Sequence, residues 1–307
     1  MNGHPIKAPK VICIGLSALD HIWQADRLPD ADLSKVRAES YEIKGGGMAA
    51  TASVAVSRLG GTVCFWGRAG NDPAGHIMRE QLQAEGVDTA DFRLFDGARS
   101  SVSGVFVDKS GERHIINFRG ADLPVSADWL PLDEIEGASS VLSDPRWPEG
   151  TVATFSAARR AGIATILDGD VADSEVFERI LPLTDHAVFS EAALRGFAGA
   201  DAPTALRMVE ERFACRVSAV TLGEAGVIWR EDGVERQLPA FAVDVVDTNG
   251  AGDVFHGAYA FAIGDGMQVD AAMKFASAAA ALKCLKPDGR SGIPTLEEVI
   301  QFQRTHP

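Results

Sequence analysis

The chain has 307 residues, of which 46% are hydrophobic and 23% charged, and its formal net charge is −14. That length and apolar content suit one α/β domain with an accessory piece and exclude a disordered chain. An acidic field repels nucleic acid and anionic membrane surfaces, so neither is expected as a partner, and no apolar run reaches the ~18 residues of a membrane-spanning helix.

Residues 10–17 (KVICIGLS) predict a buried strand, a short apolar run closing near Gly15. Residues 49–59 are small and apolar at helical spacing, and Gly60-Gly61 stops the pattern. A second strand is predicted at 62–66 and a second helix at 73–85. Strand, helix and strand joined by short loops imply a parallel sheet with helices packed on it. Two segments break this rhythm. Residues 21–44 read as extended, and residues 101–118 as a hairpin around Asp108-Lys109-Ser110-Gly111. Two extended inserts in an α/β chain predict a small separate sheet, discontinuous in sequence, able to act as a lid. The rhythm resumes near Ser140, with strands in VLSD, ATILDGD, HAVFS and VSAVTLG and Ala-rich helices at 251–263 and 269–285. The expected core comprises 10–20, 45–97 and 121–307, and the expected lid 21–44 and 98–120.

Cys13, Cys64, Cys215 and Cys284 lie far apart in apolar stretches without a CxxC pair. They read as reduced core thiols of a cytoplasmic protein rather than a zinc site. Residues 1–9 lack the core of a signal peptide.

The strongest local signal is Asp247-Thr248-Asn249-Gly250-Ala251-Gly252-Asp253, which follows an extended apolar stretch and opens a small-residue helix. Glycines let backbone N–H groups approach phosphate oxygens closely. The helix N-terminus adds partial positive charge. Together they would hold a polyanion on an acidic protein. Asp253, in the first turn, could take the proton of an attacking hydroxyl beside a phosphoryl group. Taken alone, such a stretch is more often a tight turn with a favourable acid at a helix start.

A second, separated motif changes that reading. Gly46-Gly47, Ala52, Arg58-Leu59-Gly60, Gly67-Arg68-Ala69-Gly70-Asn71-Asp72 and Gly75 precede DTNGAGDVFHG by most of the chain. Both motifs, in this order and spacing, resemble those of the ribokinase-like (PfkB) sugar kinases, over roughly residues 10–300. The resemblance implies a three-layer α/β/α sandwich with a mostly parallel central sheet and a β lid, dimerising through that lid. It implies ATP and Mg²⁺, with Asp253 as general base and Gly250, Ala251 and Gly252 as the oxyanion hole. Asp20, Gly46, Gly47 and Thr51 fall on sugar-contacting positions, although the family often has Asn where this chain has Thr51. Thr221, Gly223 and Gly226 match the nucleotide-binding turn. Ser190-Glu191-Ala192-Ala193 stands where the family has Asn-x-x-Glu, leaving Glu191 as the acid that would meet Mg²⁺ through water. Some members bind K⁺ near the equivalents of Asp247 and 282–292, and Asp247, Gly289 and Ser291 permit it here.

Lys35, Asn117 and Arg146, with the text around them (GERHIINF, SDPRW, ILDGD), are similar to the sulfofructose kinases within the family. The resemblance implies a sulfonate clamp and conversion of 6-deoxy-6-sulfofructose to its 1-phosphate. A kinase for a fructose 6-phosphate-type substrate, for fructose, ribose or 2-keto-3-deoxygluconate, and a non-catalytic nucleotide or sugar sensor remain alternatives. Asp168-Gly169-Asp170 ends a predicted strand and is a further candidate for the pocket wall.

Overall fold

The computed structural model describes residues 8–28, 35–109, 112–287 and 289–306. Ser110 and Gly111 of the expected hairpin turn lie outside them.

The chain opens with β1 (Lys10–Gly15), β2 (Ala18–Gln24), β3 (Ser40–Gly46) and α1 (Met48–Arg58). Next come β4 (Thr62–Gly70), α2 (Pro73–Ala84), β5 (Phe92–Phe95), β6 (Val102–Val107) and β7 (Arg113–Phe118). A regular alternation follows: β8 (Ser140–Ser143), α3 (Pro148–Ala161), β9 (Ala164–Gly169), α4 (Ser174–Ile180), β10 (His186–Ser190), α5 (Glu191–Ala198), α6 (Ala202–Phe213) and β11 (Val217–Thr221). A hairpin, β12 (Val227–Glu231) and β13 (Val234–Leu238), precedes α7 (Ala251–Gly264), α8 (Val269–Cys284) and α9 (Leu296–Thr305).

Nine strands form the large sheet, in the order β13-β12-β11-β10-β9-β8-β1-β4-β5. From β11 to β5 every pairing is parallel. Helices cover both faces, which explains the nearly unbroken apolar run of β1. Val11 and Cys13 enter one core with α1, α7 and α8, whereas Ile12 and Ile14 enter the other with α3 to α6. Phe65 and Phe189 are fully buried in opposite cores, each stabilising the fold by roughly 1.5–3 kcal/mol. The chain builds outward from β1 to β4 and β5, then returns to β8 on its other side. That reversal opens a crevice at the carboxyl ends of β1 and β8, the usual ligand position in such sheets.

The β12–β13 hairpin and short β5 are additions to the sequence-based expectation. The hairpin turns at Asp232 and Gly233, whose φ values of 52° and 76° match the right-handed twist of its strands.

The small sheet has the order β3-β2-β6-β7. β2 pairs antiparallel with β3 and parallel with β6, and β6 with β7 antiparallel. It starts earlier and ends later than the inserts suggested. Asp20 lies on β2 and Gly46 ends β3, so both belong to the lid sheet rather than to the core segments.

Candidate active site

The crevice is closed at its base by Asp144. Its buried carboxylate accepts from the N–H of Leu16 at 2.7 Å, Ala49 at 3.2 Å and Arg146 at 2.8 Å. This ties β1, α1 and β8 together at the reversal point. Gly47 caps α1 at φ 93°. A Cβ there would lie 2.5 Å from the Leu16 carbonyl oxygen, so only glycine lets the lid strand re-enter the core here.

The first turn of α7 faces this crevice. Gly250 holds a left-handed conformation, φ 76°. A Cβ on it would sit 3.6 Å from Thr51 Cγ2 and 3.9 Å from Asp253 Oδ2, so Thr51, Gly250 and Asp253 share one wall. Ala251 donates its N–H to the Thr248 carbonyl at 3.1 Å. This corrects the expectation for Ala251, whose donor is spent on the turn. Among the described residues, the amides of Gly250, Gly252 and Asp253 have no acceptor. They are the donors available to an anion at the helix N-terminus.

The Asp253 carboxylate makes no hydrogen bond or ion pair with a described residue, and the residue remains partly accessible. Desolvation, with Asp168 as a second negative charge, pushes its pKa up to about 8, against the opposing charges of His256 and Arg290. Asp168 is buried, and its Oδ2 has no hydrogen-bond partner. Burial and the neighbouring carboxylates hold its pKa well above the ordinary range. His256 anchors the turn from below. Its Nδ1 lies 2.8 Å from the Gly252 oxygen and 3.4 Å from Asp168 Oδ2, and its Nε2 3.2 Å from the Val188 oxygen. Burial lowers the His256 pKa.

The lid supplies the opposite wall. Asp20, Ser103 and Asn117 are in register across β2, β6 and β7, and Lys44 faces Asp20 from β3, so the four share one face of the pleat. Burial raises the Asp20 pKa, against the Ser103 hydroxyl and the Arg290 charge. Gly46 leaves room for Asp20, whose Oδ2 would lie 2.5 Å from a Cβ there.

Arg290 was absent from the sequence-based candidates. It extends from a turn after α8, donating Nε to Thr51 Oγ1 and Nη2 to the Gly46 oxygen, while Nη1 is buried without a partner. Desolvation lowers its pKa to about 10, although Asp253 and Asp20 oppose this. A lone Arg in a Gly-rich turn carries no periodic or motif signal.

The expected sulfonate clamp is only partly assembled. Arg146 ends beside the crevice but donates Nη2 to Asp170 Oδ2 and Nη1 to the Val171 oxygen, both at 2.7 Å. Asn117 donates to Ser103 Oγ at 3.1 Å and to the Val102 oxygen at 3.4 Å. Lys35 is exposed. Among the described residues, no hydrogen bond or ion pair joins these three. Arg146 and Asn117 have satisfied donors locally, as the cost of an unpaired group requires.

Of the residues expected at the nucleotide, Thr221 ends β11, and Gly223 and Gly226 bracket a tight turn at φ 57° and 92°. A Cβ at Gly226 would lie 2.1 Å from the Leu238 oxygen, so the turn requires glycine. Ser190 caps α5 by accepting from Ala193 N at 3.3 Å. Glu191 pairs with Arg195 one helical turn on, an engagement the Mg²⁺ expectation did not include. Asp247 is engaged by Lys283, another residue missing from the candidates. Its only sequence signal is its place on the apolar stripe of α8, after Ala276 and Ala279.

A family model described as pfkB family carbohydrate kinase matches residues 8–296. The Bacillus subtilis ribokinase is 30% identical over 300 residues, covering 95% of this chain and 98% of that one. Fructokinase-1 of Zea mays is 29% identical over 298 residues, covering 89% and 92%. The crystal structure of an Agrobacterium tumefaciens protein provisionally named a ribokinase superposes with a TM-score of 0.93 at 36% identity, covering 97% and 98%.

Proposed function

The chain belongs to the pfkB family of carbohydrate kinases and is an ATP-dependent carbohydrate kinase, and from that premise we propose that it phosphorylates the C1 hydroxyl of 6-deoxy-6-sulfofructose. Asp253 is the general base, and the free amides of Gly250, Gly252 and Asp253 hold the transferring phosphoryl group. Thr221, Gly223 and Gly226 line the nucleotide side. Asp20, Gly46, Gly47 and Thr51 orient the sugar from the lid side, so the reacting hydroxyl meets Asp253 and the far end of the sugar meets Arg146. Among the described residues, no three His, Cys, Asp or Glu side chains converge as a metal-binding group. Mg²⁺ enters with the triphosphate, whose charge needs a divalent ion.

The observation that carries the substrate reading is the state of Arg146. Asp170 and the Val171 carbonyl occupy two of its donors, leaving others beside the crevice. A guanidinium whose charge is already paired with one carboxylate suits a sulfonate monoanion better than a phosphate dianion. The same pair supports a second reading, a neutral acceptor such as ribose or fructose, with Arg146 serving structure. An ADP-release panel with MgATP and sulfofructose, fructose 6-phosphate, fructose, ribose and 2-keto-3-deoxygluconate separates them. Turnover confined to neutral sugars removes the sulfofructose reading.

We further propose a homodimer through the lid. The face opposite Asp20 carries Trp23, Tyr41, Ile43, Phe106, Ile116 and Phe118. Ile116 is 72% and Tyr41 50% exposed, an apolar patch that a second copy would cover.

A further inference from the structure

Asp247 begins the loop that runs into α7, and the cation beside it belongs to the protein. Lys283 Nζ lies 2.9 Å from Asp247 Oδ2 and 2.8 Å from the Asp247 main-chain oxygen, and the Lys283 side chain is 0% exposed. Asp247 also accepts from Asn249 N at 2.9 Å and from Gly289 N at 3.4 Å. Lys283 reaches this point from the buried face of α8, the face that packs against α7. A fully buried ammonium is costly unless oxygens replace its water, which two oxygens of Asp247 do here.

We propose that Lys283 is a positioning residue whose ammonium serves as a built-in monovalent cation for the anion-hole loop, making this kinase independent of K⁺. An ammonium and a potassium ion are of similar size and charge, and both bind carboxylate and carbonyl oxygens. The carboxylate and carbonyl of Asp247 are the oxygens a K⁺ ion would need at this residue, and Nζ holds both. A second cation would stand against the first, whose ammonium is fully buried, where repulsion between like charges is strong. Asp247, Gly289 and Ser291 therefore do not fit the K⁺ that the family resemblance implied. Lys283 instead fixes the start of the loop whose following residues present the free amides of Gly250 and Gly252. Being tethered, the charge needs no ion from solution.

The catalytic consequence rests on reading residues 250–253 as the phosphate site, so the test includes a measurement that does not. Intact protein in choline buffer is titrated with KCl at constant ionic strength. Its thermal midpoint, its MgATP affinity and its turnover with an accepted sugar are followed. The wild type should show no K⁺-specific rise in midpoint and less than about twofold change in affinity or turnover. Lys283→Met should bind MgATP more weakly and regain affinity and midpoint with K⁺ but not with choline. A K⁺-specific gain beyond about twofold in the wild type would overturn the inference. So would a Lys283→Met protein that binds MgATP normally and ignores K⁺. If that variant does not fold, the wild-type titration decides alone. Absence of MgATP binding would sink the anion-hole reading, while the midpoint still answers the question of the ion.

Discussion

Arg290 and Thr51 are 239 residues apart in sequence, yet Arg290 Nε donates to the Thr51 hydroxyl at 3.2 Å. Through this bond and the one from Nη2 to Gly46 O, the turn after α8 grips both the first turn of α1 and the end of lid strand β3. The guanidinium carries positive charge between Asp20 on the lid and Asp253 on α7, both of which act on its ionisation.

Replacing Arg290 by Gln should therefore raise the acceptor KM more than it changes ATP affinity. Loss of a charge-assisted hydrogen bond corresponds to about 1.5–3 kcal/mol. It should also move the ionisation of Asp253 upward, because the Arg290 charge lowers that pKa. Steady-state kinetics across pH would show a profile displaced to higher pH. An unchanged profile would mean that Arg290 acts on the lid alone.

The pH dependence of the wild type follows from Asp253. Its carboxyl is protonated below about 8 and ionised above it, chiefly because burial disfavours the charge. A general base works only when ionised. Hence kcat/KM should climb as pH rises through about 8 and level off above. A profile flat from pH 6 to 9 would contradict this.

Asp253→Asn should lower turnover by at least about 10²-fold while leaving MgATP binding largely intact. The same variant should be more heat-stable. A carboxyl with a raised folded-state pKa ionises first in the unfolded chain, so it penalises folding increasingly from about pH 4 until the folded form ionises near pH 8. The gain in thermal midpoint over wild type should be absent in acid and greatest at pH 8 and above.

Arg146→Ala separates the two acceptor readings. A clamp on an anionic substrate should weaken that substrate by about 2–5 kcal/mol and spare neutral sugars. Equal losses for sulfofructose and fructose would assign Arg146 to holding Asp170 and the Val171 carbonyl.

Ile116→Glu tests the lid contact. A charge at that exposed apolar position should convert a dimer to a monomer, measured by light scattering on a sizing column. A wild type already monomeric at working concentration would remove the proposal.

Residues close in sequence are legible because the chain itself sets their geometry. Asp247 to Asp253 run through one turn into one helix, so glycine spacing and helix polarity point to an anion site before any packing is known. Alternation of strand and helix likewise implies the parallel sheet, and two extended inserts imply the lid. The partners that individual polar groups take need revision. Ala251 spends its N–H within the turn, Glu191 pairs with Arg195, and Arg146 meets Asp170. A side chain's partner depends on what lies within a few ångströms, and a motif does not contain that information.

The amino-acid order by itself determined the layered α/β architecture, the glycine-lined helix start and the acid at its first turn. Only the tertiary structure decided which cations serve them. Lys283 meets Asp247 because α8 packs along α7, and Arg290 meets Thr51 because a C-terminal turn folds back over α1. Such pairings arise where desolvation makes an unpaired charge costly, and burial is a property of the packed molecule rather than of any segment of the chain.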